Sequence, residues 1–206
     1  MTSKQIRDPQ KDRLLTPQNA ALIIIDYQPT QVNSINSMGR AQLLQNITLV
    51  AEIAKNYHLP IILSTVNVAS GANRDTVPAL KSILGDIPSY DRTTINAWED
   101  KEFYDAVKAA ERKKLIMTAL WTEACLAFPT LDALDEGYEV YPVVDAVGGT
   151  SLLAHKTALR RMEQAGAQLT SVAQINCELQ RDWSRKQTVP GFVKVMQDAG
   201  IFLKLE

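Results

Sequence analysis

The chain has 206 residues, 46% hydrophobic and 22% charged, with 22 Lys and Arg against 23 Asp and Glu and a net charge of −1. That length and balance suit a globular protein whose core stands without disulfides or metals, and they exclude extended disorder and the basic surface expected of a nucleic-acid binder. The longest strictly apolar run, 20–25, is far short of the ~20 residues that cross a bilayer, and two cysteines and two histidines offer neither a disulfide scaffold nor a metal cluster.

In chain order, residues 1–11 are polar and lack the apolar stretch of a signal peptide. A reducing, cytoplasmic setting is expected. Residues 20–25 read as a buried strand ending at Asp26. Leu43, Leu44, Ile47, Val50, Ala51 and Ala54 recur at helical spacing and predict a helix over 40–57. A strand over 59–66 follows, with Pro60 tolerated at its start. A short helix over 78–84 is expected, with Asp75 or Thr76 as its N-cap and Gly85 as its stop. Then come a short strand over 89–94, a helix over 100–112 and a buried strand over 114–120. Residues 123–136 predict a helix closed by Gly137 and kinked by Pro129. A strand over 138–144, a helix over 151–165, a last short strand over 168–171 and a helix marked by Val172, Ile175, Leu179 and Trp183 complete the pattern.

These strands are continuous apolar runs, as in a parallel sheet covered by helices on both faces. Right-handed crossovers then give one doubly wound α/β domain over 1–206. Such folds bind ligands beyond the carboxyl ends of their strands. The residues that matter are therefore Asp26, Thr65 to Asn67, Arg92 to Asn96, Trp121 to Cys125 and Asp145 to Thr150. Asp26 is either a turn carboxylate or a desolvated base. Cys125, if a helix starts near Thr122 or Glu123, lies in its first turn, where the dipole and free N–H groups favour a thiolate. Cys177, inside a helical pattern, reads as structural. His58 and His155 are not at strand ends, so a Cys–His dyad is not expected. Gly148-Gly149 suits a tight turn, and no phosphate-loop or zinc motif is present.

Ile25-Asp26-Tyr27-Gln28, Ile95-Asn96-Ala97-Trp98, Thr122-Glu123-Ala124-Cys125 running on to Pro129, Ala165-Gly166-Ala167 and Cys177-Glu-Leu-Gln-Arg-Asp-Trp183 occur in an order and spacing that resembles the isochorismatase-like cysteine hydrolases, in their YcaC-like branch. The resemblance covers roughly residues 13–183. It implies a six-stranded parallel sheet in the order 3-2-1-4-5-6, and a catalytic Asp, a basic residue and a nucleophilic Cys. By position these are Asp26, Arg92 and Cys125. It also implies a non-proline cis peptide joining Leu120 to Trp121.

The function implied is a cofactor-free cysteine hydrolase of a small amide, imide or related acyl compound. Asp26 takes the thiol proton, Cys125 attacks the carbonyl, and backbone N–H groups of Trp121 and Cys125 form the oxyanion hole. Gln28, Asn96, Trp98 and Trp121 line the substrate pocket. Most of the family carries Lys where this chain has Arg92, and Arg holds a carboxylate but does not shuttle a proton. Residues 64–71 contain no His, so the zinc site of the nicotinamidase relatives is not expected here. Two rivals stand beside this reading: enol-ether cleavage, as in family members that need no nucleophilic Cys, and a binding or assembly protein with little activity.

The tail over 189–206 is markedly apolar, with Pro190 suiting a helix start and Phe192, Val193, Val195 and Met196 behind it. With the sheet already covered, it is expected either to join subunits of a closed homo-oligomer, a tetramer or octamer, or to fold back on its own chain.

Overall fold

The structure is a computed structural model and describes residues 7–202. The expectations for residues 1–6, and for the tail at 203–206, lie outside the described residues. The elements are β1 (Ala20–Ile25), α1 (Pro29–Asn33), α2 (Arg40–Asn56), β2 (Ile61–Val66), α3 (Pro78–Leu84), β3 (Ser89–Arg92), α4 (Lys101–Ala109), β4 (Lys114–Ala119), α5 (Ala127–Asp135), β5 (Glu139–Pro142), α6 (Leu152–Gln164), α7 (Val172–Gln180) and α8 (Val189–Asp198). A single 3-10 turn, Ala97–Glu99, precedes α4, and a wide π-turn, Thr122–Leu126, precedes α5.

The strands form one parallel sheet in the order β3-β2-β1-β4-β5. The central β1 is wholly buried, and alternate residues feed opposite faces. Leu22 and Ile24 join a core closed by α2, α3, α7 and α8, while Ala21, Ile23 and Ile25 join a second core closed by α4, α5 and α6. This is the doubly wound arrangement expected, with five strands rather than six. The sixth, expected over 168–171, is reduced to one bridge between Val143 and Thr170. It does lie beside β5, through Gln168 N–H to Val140 O and Thr170 N–H to Pro142 O. The segment lies between the turn at Gly166, φ 111°, and Ser171, which caps α7.

Three further departures have local causes. The expected N-cap Asp75 or Thr76 is replaced by Val77, without a side-chain cap. The helix expected over 123–136 starts only at Ala127, and Pro129 lies in its first turn. Proline has no N–H to return to the Cys125 carbonyl four residues back, so a regular α-helix through Cys125 is not available. As far as residue 202, the tail packs on its own chain. α8 turns Phe192, Val195 and Met196 inward on its own chain, against α2 and α7. No helix of the described residues is long and apolar enough to cross a membrane.

Candidate active site

Asp26 follows β1 in the left-handed region, φ 63°, and is fully buried. That conformation costs most L-residues roughly 1–2 kcal/mol, less for Asp, and such strain is concentrated at functional positions. Its backbone N–H still reaches Ser64 O on β2 at 3.0 Å. Its carboxylate is clamped by Arg92, the last residue of β3. Nη1 donates to Oδ1 at 2.7 Å and Nη2 to Oδ2 at 2.8 Å, with neither side chain exposed. Arg92 is fixed in turn by Ser64 Oγ and Thr65 O, both 3.0 Å from Nη1, and by Ile95 O, 3.2 Å from Nη2. Burial works against the guanidinium charge, but the hydrogen bonds and charge of Asp26 outweigh it and hold Arg92 more firmly protonated than usual.

Cys125 lies in the wide turn after β4 and is 8% exposed. Its thiol lies within the electrostatic reach of Asp26 and Arg92. The structure thus brings Asp26, Arg92 and Cys125 together, from the ends of three strands. The Leu120–Trp121 peptide is cis.

The expectation of a ready-made thiolate is overturned. Burial first, then the charge and hydrogen bond of Asp26, push the Cys125 thiol up to about 12, against the opposing pull of Arg92 and the Trp121 N–H. Two features explain it. Cys125 lies in the π-turn Thr122–Leu126 that runs into α5, but its burial there outweighs the pull of the helix start. Asp26 also takes both prongs of the Arg92 fork, so the thiol faces an anion that is already paired.

The expected pocket residues divide. Gln28 is fully buried and its amide is engaged by backbone: Oε1 accepts from Val66 N–H at 2.9 Å, and Nε2 donates to Val66 O at 3.1 Å and Arg74 O at 2.6 Å. It braces the loop after β2 and offers no free amide to a ligand. Asn96 caps the 97–99 turn through Trp98 N–H and donates to Asp132 Oδ2 at 2.6 Å. Trp98 packs edge-on against Phe103, Tyr104 and Tyr138 and donates to Glu136 Oε1 at 2.8 Å, so it belongs to the second core. Trp121 is half-buried, its Nε1 bonded to Ser34 Oγ at 2.5 Å.

Sequence reasoning missed Ser64, whose signal was a polar residue within the apolar run of β2. It also set His155 aside, yet His155 Nδ1 lies 2.8 Å from Thr122 Oγ1 on the turn that carries Cys125. Glu123 on the same turn holds Thr150 through its N–H, 2.9 Å, and its hydroxyl, 2.6 Å. Cys177, expected in the core, is exposed on α7. No group of three or more His, Cys, Asp and Glu among the described residues is placed to hold a metal ion.

The model of the isochorismatase domain matches residues 20–174, which take in all five strands, Asp26, Arg92 and Cys125. The chain belongs to the isochorismatase family. Within it, the likeness to YcaC proteins is extensive. The chain is 37% identical to the probable hydrolase YcaC of Escherichia coli over 82% of its own length and 81% of that protein's. The solved YcaC of Pseudomonas aeruginosa, with hexane-2,5-diol and covalent acrylamide, superposes with a TM-score of 0.85 at 35% identity, covering 91% of this chain and 92% of that one. The Escherichia coli YcaC structure, described as an octameric hydrolase of unknown specificity, gives a TM-score of 0.85 at 34% identity, covering 91% of each chain.

Proposed function

We propose that the chain is a cofactor-free cysteine hydrolase of a small amide, imide or related acyl compound, working through an acyl-enzyme on Cys125. What supports it is the burial of Cys125 beside the ion-paired Asp26 carboxylate, whose charge acts on the thiol. A thiol held protonated at rest needs a base during attack, and Asp26 is in place to be one. As Sγ bonds to the carbonyl carbon, its proton passes to the Asp26 carboxylate and the carbonyl electron pair moves to oxygen. Backbone N–H groups of Trp121 and Cys125 receive that oxyanion, each donor worth about 3–4 kcal/mol in comparable sites. Collapse expels the amine, which takes the proton from Asp26. Water, deprotonated by Asp26, then cleaves the thioester and frees the thiol.

Arg92 acts as a positioning residue. Always charged, it holds the carboxylate in place and does not itself transfer the proton. A covalent acrylamide in the Pseudomonas aeruginosa YcaC supports covalent chemistry in a relative. Screening small amides and imides for amine release tests the reading. Turnover by the wild type that disappears in a folded Asp26→Asn protein is expected; undiminished turnover in that variant would sink it.

We also propose a closed homo-oligomer, a tetramer or octamer. The octameric Escherichia coli relative supports it, as do the exposed apolar side chains Ile95, Leu152 and Leu153. A 206-residue monomer in sedimentation at micromolar concentration refutes it.

A further inference from the structure

A large cavity lies away from Cys125. The segments that lead into β1, β2 and β4, together with the connection from α7 to α8, enclose about 810 Å³ at the N-terminal edge of the sheet. At about 3.3 Å per residue, the length of β1 separates it from Asp26 by roughly 20 Å. Its volume is within the range of about 300–1,000 Å³ typical of small-molecule sites.

The lining has a one-sided charge. Arg112, Arg185 and Lys186 contribute to it, and no carboxylate does. Two of these side chains are fixed before any ligand arrives. Arg112 Nη1 donates to Ala110 O at 3.1 Å and Glu111 O at 3.3 Å, and Arg185 Nη1 donates to Leu179 O at 3.2 Å. Tyr57 and Leu179 supply an apolar wall.

We propose that this cavity is a second binding site, for a small organic anion that joins a carboxylate or phosphate head to an apolar body. The head meets the cations, and the body lies on Tyr57 and Leu179. None of these residues belongs to the Asp26–Arg92–Cys125 cluster, so the proposal stands apart from the hydrolase reading.

Calorimetry on the full chain tests it with three probes that share one ring system: 1-naphthyl phosphate, 1-naphthoate and the neutral 1-naphthol. Saturable binding of at least one of the two anions, about tenfold or more tighter than the naphthol, is expected. The better of the two anions identifies the head. The double variant Arg185→Ser, Lys186→Ser, at two exposed positions that leave the fold in place, is expected to weaken that anion by about tenfold or more. The exposed Lys101→Ser on α4 is expected to leave it unchanged. Equal binding of anions and naphthol, no saturable binding, or an unaffected double variant overturns the proposal. So does a double variant that changes the sedimenting mass, because the cavity is then a contact between copies of the chain.

Discussion

Arg92 grips both carboxylate oxygens of Asp26, at 2.7 and 2.8 Å, with both side chains fully out of water. The pair joins the ends of β1 and β3 across β2, so the same contact that orders the site also ties the sheet together. A buried pair of this kind is weak evidence for net stability, but removing one partner leaves an uncompensated buried charge.

Arg92→Ala is therefore expected to lower stability by about 3–5 kcal/mol and to abolish turnover. Arg92→Lys retains one cation and is expected to recover part of both. Urea unfolding of the two variants beside wild type reads the difference. An Arg92→Ala protein as stable as wild type would show that the ion pair contributes nothing to the fold.

Asp26→Asn removes the charge and the acceptor that raise the Cys125 thiol and leaves Arg92 and the Trp121 N–H acting on it. The pH midpoint for alkylation of Cys125 is expected to fall below that of the wild type, while turnover is lost for want of a base. An unmoved midpoint would mean that burial alone sets the thiol.

Stability should carry the same signature. The folded chain keeps the Cys125 proton up to about 12, whereas an unperturbed thiol releases it near 9.0. Between those values the unfolded state binds fewer protons, so stability falls as pH rises. At pH ~10.5, wild type is expected to have lost about 2 kcal/mol that Cys125→Ala does not lose. Parallel stability curves for the two proteins would contradict the raised thiol.

At neutral pH, iodoacetamide is expected to label Cys177, which is exposed, ahead of the protonated and buried Cys125. Cys177→Ser should alter stability by no more than about 0.5 kcal/mol and leave turnover unchanged. Faster labelling at Cys125, read by peptide mass, would restore the ready-made thiolate.

Phe192 is buried on α8 and meets Trp183 and Phe202 edge-on. Phe192→Ala is expected to cost about 3–5 kcal/mol. A mutant that changes assembly mass but not unfolding would return α8 to the subunit interface.

Much of this was legible because β1, β2 and β4 are mostly buried and so appear as largely apolar runs, ending at Ile25, Val66 and Ala119. The strand ends then marked the stretches that hold Asp26, Arg92 and Cys125, and the family resemblance singled out these three. What the sequence did not disclose was partner choice. Gln28 and Trp98 carry polar groups that suit a pocket, yet each is engaged by groups distant in the chain, Val66 with Arg74 and Glu136 respectively. The direction of the Cys125 shift depended on whether Asp26 or Arg92 dominates at the sulfur, which only geometry decides. The 168–171 segment has strand-like residues, but it pairs beside β5 through a single bridge, Val143 with Thr170.

The central claim is that Cys125 carries the acyl group during turnover. It is tested most directly by acid-quenching the wild type during hydrolysis of an amide or imide found by screening, and mapping the adduct by peptide mass spectrometry. An acyl adduct confined to Cys125, with neither adduct nor turnover in a folded Cys125→Ala protein, is the predicted result. Hydrolysis by Cys125→Ala at the wild-type rate would contradict it.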